Sequence, residues 1–550
     1  MKALRKIRAI TIVLALVSLF SLLTSCQGED IEGGVIYNGK WVTGCEAGIT
    51  SAKIREGTVG IQTGAFSGQA SLMEITIPNS VTTVMSGAFS GCDALITKEG
   101  GISYVSDWVI EADKTIQEAN VKDGTKGIAS RAFYGCEQLK CANIPKSAGS
   151  IGKDSFAGCS AIEEITLPFL GATENSTLNS HFAYIFGASN QDKNSEFTPR
   201  TLKRVTLTAT AAIDDGAFFG CSSIAEINLP DTLVSIGKDA FRGCASLNRV
   251  NVPDTVKHIG EYAFYACHGL LDVNIPSGIE ILEKFTFTEC KSLTKITVPD
   301  SVTIIEPCVF GNCENLVDVT LSKNLVSIGQ QAFDGCNLMT DIYIPSGNIG
   351  KGVFNECENL TNVTLGDGIE IIGENAFYSC RRLTNINAPA ALKEIKAQAF
   401  ANCNSLVAFN MTEGLEEIGE YAFYYCSSLS GIKIPESVTS VGAQAFRACD
   451  GTVSRSENGV EAVDGWITYA LPAATYLVID SSIRGIAKNV LIDCNGFDTV
   501  YLGDGADLTE ITVCSGNGRL YSAAKYTFSE NLPESEGKFW HYTDGIPTRW

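Results

Sequence analysis

Fifteen cysteines occupy one recurring slot, three residues after a phenylalanine or, once, after Leu491: Cys92, Cys136, Cys159, Cys221, Cys244, Cys267, Cys290, Cys313, Cys336, Cys357, Cys380, Cys403, Cys426, Cys449 and Cys494. Thiols in such number have three chemistries open to them: metal ligation, nucleophilic attack and disulfide formation. Zinc wants C-x-x-C or Cys and His close together, and the long, even steps between these cysteines do not supply that. The four histidines are His181, His258, His268 and His541. His268 follows Cys267 directly, and adjacent residues in a turn diverge, so they do not make a nucleophile and base. Neither a G-x-S-x-G motif nor a phosphate loop occurs, and no carboxylate pair stands out. The reading is therefore a non-enzyme without cofactor or catalytic metal. Disulfides between neighbouring slots stay open as an alternative, since slots in register can approach bonding distance. A ladder at one position, however, offers each thiol two equivalent partners. A free cysteine also packs as a small hydrophobe with a weak donor for a nearby carbonyl, so buried free thiols are the expectation.

Cys26 stands apart. Lys2, Arg5, Lys6 and Arg8 precede an apolar run from Ala9 to Leu23, which has the layout of a removable signal peptide over residues 1–25. Leu23-Thr24-Ser25-Cys26 resembles a bacterial lipobox, which implies a diacylglycerol on Cys26 and a short tether over 26–34. The acidic run Gln27-Gly28-Glu29-Asp30 resembles an export signal that sends lipoproteins to the outer face of the outer membrane. The chain of 550 residues carries a formal charge of −21. Removing a leader with four basic and no acidic residues makes it −25. Such a charge repels phosphate backbones, so nucleic acid is a poor partner. With 45 % hydrophobic residues the chain is nevertheless too apolar for an acidic disordered tail.

The elements that must position these residues are repeats. Phenylalanines recur at an even step through Phe241, Phe264, Phe287 and Phe310, and the same step returns through much of the chain. A period of about 20–29 residues with fixed leucine-type positions marks a leucine-rich-repeat solenoid rather than several globular domains. In the unit Cys221 to Phe241, Ile227 and Leu229 are two apart and face inward, while Asn228 faces out, which predicts a short strand per rung. Pro230 follows and ends the pairing. Leu233, Ile236 and Ala240-Phe241 predict a helical, 3₁₀ or irregular return on the convex side, with Gly237 easing a bend. No rung buries its own edge, so stacking makes the core.

The unit C-x-x-L-x-x-I-x-I-P-x-x-V-x-x-I-G-x-x-A-F resembles the BspA-like bacterial surface leucine-rich-repeat family over about residues 35–515. The tail 516–550, with Phe539-Trp540-His541-Tyr542 and Trp550, resembles the ending of many such proteins and reads as a C-terminal cap. The resemblance implies an α/β-type solenoid with parallel strands on a concave face. It also implies a cell-surface protein whose role is adhesion or protein binding toward host matrix or other bacteria; with the lipobox-like segment at Cys26 and the acidic run after it, the expectation is a lipid-anchored protein of the bacterial envelope, placed at the outer membrane. The alternative is an envelope scaffold for bacterial proteins or glycans.

Departures from the repeat are where binding residues would be grafted. Three rungs, near 35–61, 93–128 and 450–486, carry Trp41, Trp108 and Trp466 after turn residues such as Asn38-Gly39 and Asp464-Gly465, which predicts β-hairpins. Each tryptophan either covers the solenoid edge or, as with Trp108 and Trp466, serves as an exposed contact anchor. An insertion at 169–199 includes His181-Phe182-Ala183-Tyr184-Ile185-Phe186 and is expected to fold back on its own aromatics. The slot before the inner strand residue reads Glu74, Glu164, Glu226, Asp272, Asp318 and Asp341, with Arg249 and Lys295 interleaved. Glu226, Asp272, Asp318 and Asp341 are the candidate ligand-binding carboxylates, favouring basic partner segments. The next outward slot, including Asn274, Thr320 and Tyr343, reads as a structural stripe of Thr and Asn.

Overall fold

The computed structural model describes residues 30–174 and 179–550; Cys26 and the leader lie outside them. The chain divides into two compact units, Met1–Leu233 and Val234–Trp550. Both are built from the same rung.

The rung starting at Cys290 in the second unit illustrates why. In the strand Lys295–Thr297 the central Ile296 is buried while Lys295 and Thr297 are exposed, the two-residue alternation of a half-buried strand. It pairs in parallel with Asp318–Thr320 in strict register, Ile296 opposite Val319. Pro299 then opens a turn, its carbonyl accepting from Val302 N–H at 3.0 Å. The sequence reading has one strand per rung; the structure has two. A second strand, Ile304–Ile305, joins an eight-stranded parallel sheet running from Ile281–Leu282 to Ser440–Val441.

The return is irregular rather than helical. Among the described residues, helices occur only at Phe182–Phe186, Gln191–Lys193, Asn194–Phe197 and Gly518–Ser522. The physical reason lies in where the amides point. Cys308 and Asn312 adopt left-handed φ of 59° and 56°. N–H groups of Cys308, Phe310 and Asn312 then donate to carbonyls of Gln330, Ala332 and Asp334 one rung on, at 2.7–2.9 Å. A helix would have consumed those donors internally. Each non-glycine left-handed residue costs about 1 kcal/mol, offset by ladder bonds that hold one rung to the next.

Two side chains complete the core. Ten phenylalanines from Phe241 to Phe446 stack with centroid distances of 5.1–5.6 Å and near-parallel planes. This is the spacing at which offset rings attract. The slot cysteines lie beside them. Cys267, Cys290, Cys313, Cys336, Cys380, Cys403, Cys426 and Cys449 each donate S–H to the carbonyl of the phenylalanine 26 residues earlier, at 2.9–3.3 Å. The expected buried thiols with carbonyl partners are thus present, and the partner belongs to the preceding rung.

At Gly419 and Gly442, two later rung glycines, the demand is for space rather than for a bend. Their φ is ordinary, but a Cβ would stand 2.4 Å from Ala397 N and 2.2 Å from Glu420 N. Glycine is required there because successive backbones touch. Gly419→Ala is therefore expected to destabilise the second unit by about 1–3 kcal/mol through overpacking. Gly368→Ala, with open space around it, should leave the urea midpoint nearly unchanged.

The three expected hairpins form, pairing Val35–Asn38 with Trp41–Cys45, Ile102–Val105 with Trp108–Ala112, and Val460–Val463 with Trp466–Ala470. The first turns at Gly39-Lys40, one residue later than expected, since Asn38 pairs with Trp41. The insertion supplies the turn of a rung in the first unit. Phe156 N–H donates to Ile185 O and Phe182 N–H to Ala217 O, both at 2.8 Å, and Phe182 stacks on Phe218 at 5.0 Å. Buried Asn194 locks it, accepting from Ala183 N–H and donating to the carbonyls of Gly216 and Ala217. Burial lowers the pKa of His181, against the raising effect of its contact with the Ala188 carbonyl. In the C-terminal segment, Ala524–Phe528 extends the strand column and the hairpin Phe539–Thr543/Ile546–Arg549 follows it.

Candidate binding face

Each first strand offers two outward positions flanking one buried residue. Together they make a face whose chemistry is free to vary, because its side chains do not pack the core. In the first unit, the register sets Glu164, Arg204 and Glu226 side by side. Arg204 bonds both carboxylates, at 2.6 Å and 3.0 Å. Glu226 is thus half-buried and already answered by a cation, which removes it as an open acidic contact. Arg204 escapes the repeat pattern because the insertion separates its rung from the one before; its four-residue strand Arg204–Leu207 is the available signal.

In the second unit the slot reads Arg249, Asp272, Lys295, Asp318, Asp341, Asn362, Asn385. Arg249 pairs in register with Asp272, and Lys295 with Asp318. Lys295 ion-pairs with Asp272 at 3.5 Å. Asp318 has no such cation among the described residues. Asp341 is held by Thr340 Oγ1 and Asn362 Nδ2, each donating at 2.6 Å, and these bonds keep its pKa below the ordinary carboxylate value. Asp318 and Asp341, on adjacent rungs, border a shallow hollow of about 440 Å³ that includes Thr340, Tyr343, Asn362 and Thr364. Tyr343, read from sequence as part of a structural stripe, is 57 % exposed. Its neighbours at that slot, Thr320 and Thr364, are too small to cover the ring.

The two tryptophans proposed as anchors are buried. Trp108 and Trp466 are each 2 % exposed. Each indole lies over a glycine of the next rung, where a Cβ would approach within 2.5 Å of Trp108 at Gly127 and 2.6 Å of Trp466 at Gly485. Trp41 and Gly60 repeat the arrangement. The indoles seal the hairpin onto the second strand column, so neither can be a contact anchor. The third hairpin is further tied by Asp464, which accepts from Ile434 N–H at 2.8 Å and pairs with Lys433 and Arg484.

Nineteen cysteines are described, each a free thiol, and sixteen of them are buried. Among the described residues no group of three or more His, Cys, Asp or Glu is arranged to hold a metal. No described helix is long and apolar enough to cross a membrane.

Parallel stacked rungs, a buried phenylalanine stack and an exposed strand face define a leucine-rich-repeat solenoid, a protein-interaction type of module and typically non-enzymatic. The chain belongs to the BspA type leucine rich repeat family, whose model matches in six copies at 43–163, 96–192, 192–306, 280–406, 347–464 and 421–515. Among solved structures it is similar to a leucine-rich repeat protein from Bacteroides ovatus, at 23 % identity over 78 % of this chain and 96 % of that one, with a TM-score of 0.42. It is also similar to a leucine rich cell surface protein from Faecalibacterium prausnitzii, at 20 % identity over 66 % and 95 % of the two chains, TM-score 0.29. A third likeness is the T. pallidum leucine rich repeat protein, at 25 % identity over 42 % and 82 %, TM-score 0.21. A search of curated proteins finds no match.

Proposed function

We propose that this protein is a non-enzymatic binding module, anchored in the bacterial envelope by a lipid on Cys26 and presented outward for adhesion to a macromolecular partner. The observation that carries the reading is the division of labour within the rung. Thiols, phenylalanines and indoles are spent on packing, while the strand face alternates exposed charged, hydroxyl, amide and tyrosine side chains. Such a surface is suited to recognition by many small contacts. Cys26 lies outside the described residues, and the lipobox-like Leu23-Thr24-Ser25-Cys26 supports its lipidation.

Protease treatment of intact cells tests the orientation: the chain should be degraded while periplasmic markers survive. Full protection would overturn the outward reading. Cys26→Ser should move the protein from the membrane fraction to the soluble fraction, and an unchanged membrane fraction would remove the lipid anchor.

A further inference from the structure

Along the strand face of the second unit, charge alternates over Arg249, Asp272, Lys295 and Asp318, and the alternation then breaks at Asp341. Two carboxylates consequently sit on adjacent rungs, on strands Asp318–Thr320 and Asp341–Ile344 that belong to separate sheets, and both border the same hollow. Like charges on neighbouring strands repel. Asp272 is answered by Lys295, whereas among the described residues no ion pair forms at Asp318 or Asp341. The hydrogen bonds from Thr340 and Asn362 hold the Asp341 carboxylate in place without supplying charge. Beside this break stands Tyr343, the sole aromatic among the outward strand residues Asn274, Thr297, Thr320, Tyr343, Thr364, Asn387 and Asn410. Two asparagines at that slot bond the backbone of the preceding rung: Asn274 both N–H and C=O of Val252, and Asn387 those of Leu365. Tyr343 has no such ladder partner among the described residues, and its ring is 57 % exposed. The hollow between these groups is open to solvent and lined by hydrogen-bond acceptors and hydroxyls.

We propose that this stretch of the strand face docks an extended basic segment of a protein partner, with one arginine laid on Tyr343 and its guanidinium bridging Asp318 and Asp341. The inference rests on the binding-module reading above and specifies the site and the chemistry of its ligand. A guanidinium fits better than an ammonium for a geometric reason. Its planar fork presents five donors and can reach two carboxylates at once, while its face stacks on an aromatic ring. The docked cation restores the alternation that the chain itself leaves incomplete.

The probe is the capped peptide acetyl-(Arg-Thr)₄-amide, titrated calorimetrically into the purified full chain, with lysine and citrulline counterparts. Citrulline keeps the shape of arginine and removes its charge. The arginine peptide should bind, the lysine peptide more weakly, and the citrulline peptide at least tenfold more weakly. Asp318→Asn with Asp341→Asn, and separately Tyr343→Ala, should each weaken the arginine peptide at least fivefold, whereas Asp272→Asn should change it less than twofold. Tyr343→Phe should retain binding. All four positions are exposed, so unchanged urea midpoints will certify folding. The proposal is overturned if the arginine peptide does not bind. It is equally overturned if the Asp318/Asp341 and Tyr343→Ala variants stay within twofold of the parent, or if Asp272→Asn weakens binding as much as they do, which would signal attraction to net charge alone. Because the titration uses purified protein, its failure is separable from failure of the surface-exposure experiment on cells.

Discussion

Raising the pH from 8 to about 10.5 is expected to unfold the protein cooperatively under reducing conditions, without any other denaturant. Burial pushes the thiols of Cys221, Cys267, Cys313 and Cys357 from their ordinary value of 9.0 up to about 12. Cys290, Cys336, Cys380 and Cys426 move in the same direction for the same leading reason. A folded-state pKa raised above the unfolded one contributes stability that is complete below the unfolded value and is lost as pH climbs toward the folded one. The window for these thiols is therefore pH 9 to 12. Within it each fully buried thiol withdraws roughly 1 kcal/mol per pH unit. Several acting together meet a total stability that for ordinary domains is about 5–15 kcal/mol. Circular dichroism against pH gives the midpoint. Cys267→Ser keeps a donor for the Phe241 carbonyl and cannot ionise in this range, so it should raise the alkaline midpoint; an unchanged or lowered midpoint would refute the mechanism. The same burial governs reactivity, because the thiolate is the reacting species. Among the described residues, iodoacetamide at pH 8 should modify Cys45, Cys141 and Cys308, the three partly exposed cysteines, and spare the sixteen buried ones until urea is added.

Phe310→Ala is expected to cost about 3–5 kcal/mol, the range for emptying a buried aromatic site. Phe310 is fully buried and stacks on Phe287 at 5.6 Å and Phe333 at 5.1 Å. Its carbonyl also receives the Cys336 thiol at 3.3 Å. Removing the ring interrupts the stack in its middle. In a linear array each rung is stabilised by its neighbours, so the loss should also uncouple the rungs on either side. Urea unfolding should then broaden, with a lower apparent slope as well as a lower midpoint. Phe446→Ala, at the end of the stack, should lower the midpoint while leaving the slope closer to that of the parent protein. Equal slopes for the two variants would argue against this neighbour coupling.

Much of the molecule was legible in the chain because a repeat multiplies weak local signals. One Ile-x-Leu-Pro run is ambiguous, yet the same run recurring at a fixed interval can be satisfied only by stacking. The hairpins were legible for a similar reason, since Asp464-Gly465, with φ of 43° and 81°, is a turn that few residue pairs adopt. The second strand column was not legible. Two-residue strands such as Ser327–Ile328 have no period of their own and exist because the rung above offers partners. Nor could the fate of the tryptophans be read. Trp108 and Trp466 look like hot-spot residues until Gly127 and Gly485 are brought beneath them.

The candidate face divides along the same line. Residue order alone determined which side chains point outward, through the two-residue alternation of each strand, and it placed the cysteines and phenylalanines inside. Only the stacking of rungs decided which charges are answered. Arg204 meets Glu164 across an insertion that hides their relation and also answers Glu226, Lys295 turns to Asp272, and Asp318 and Asp341 are left beside an uncovered Tyr343. Ion pairing depends on distances across rungs, and those distances arise in the folded stack.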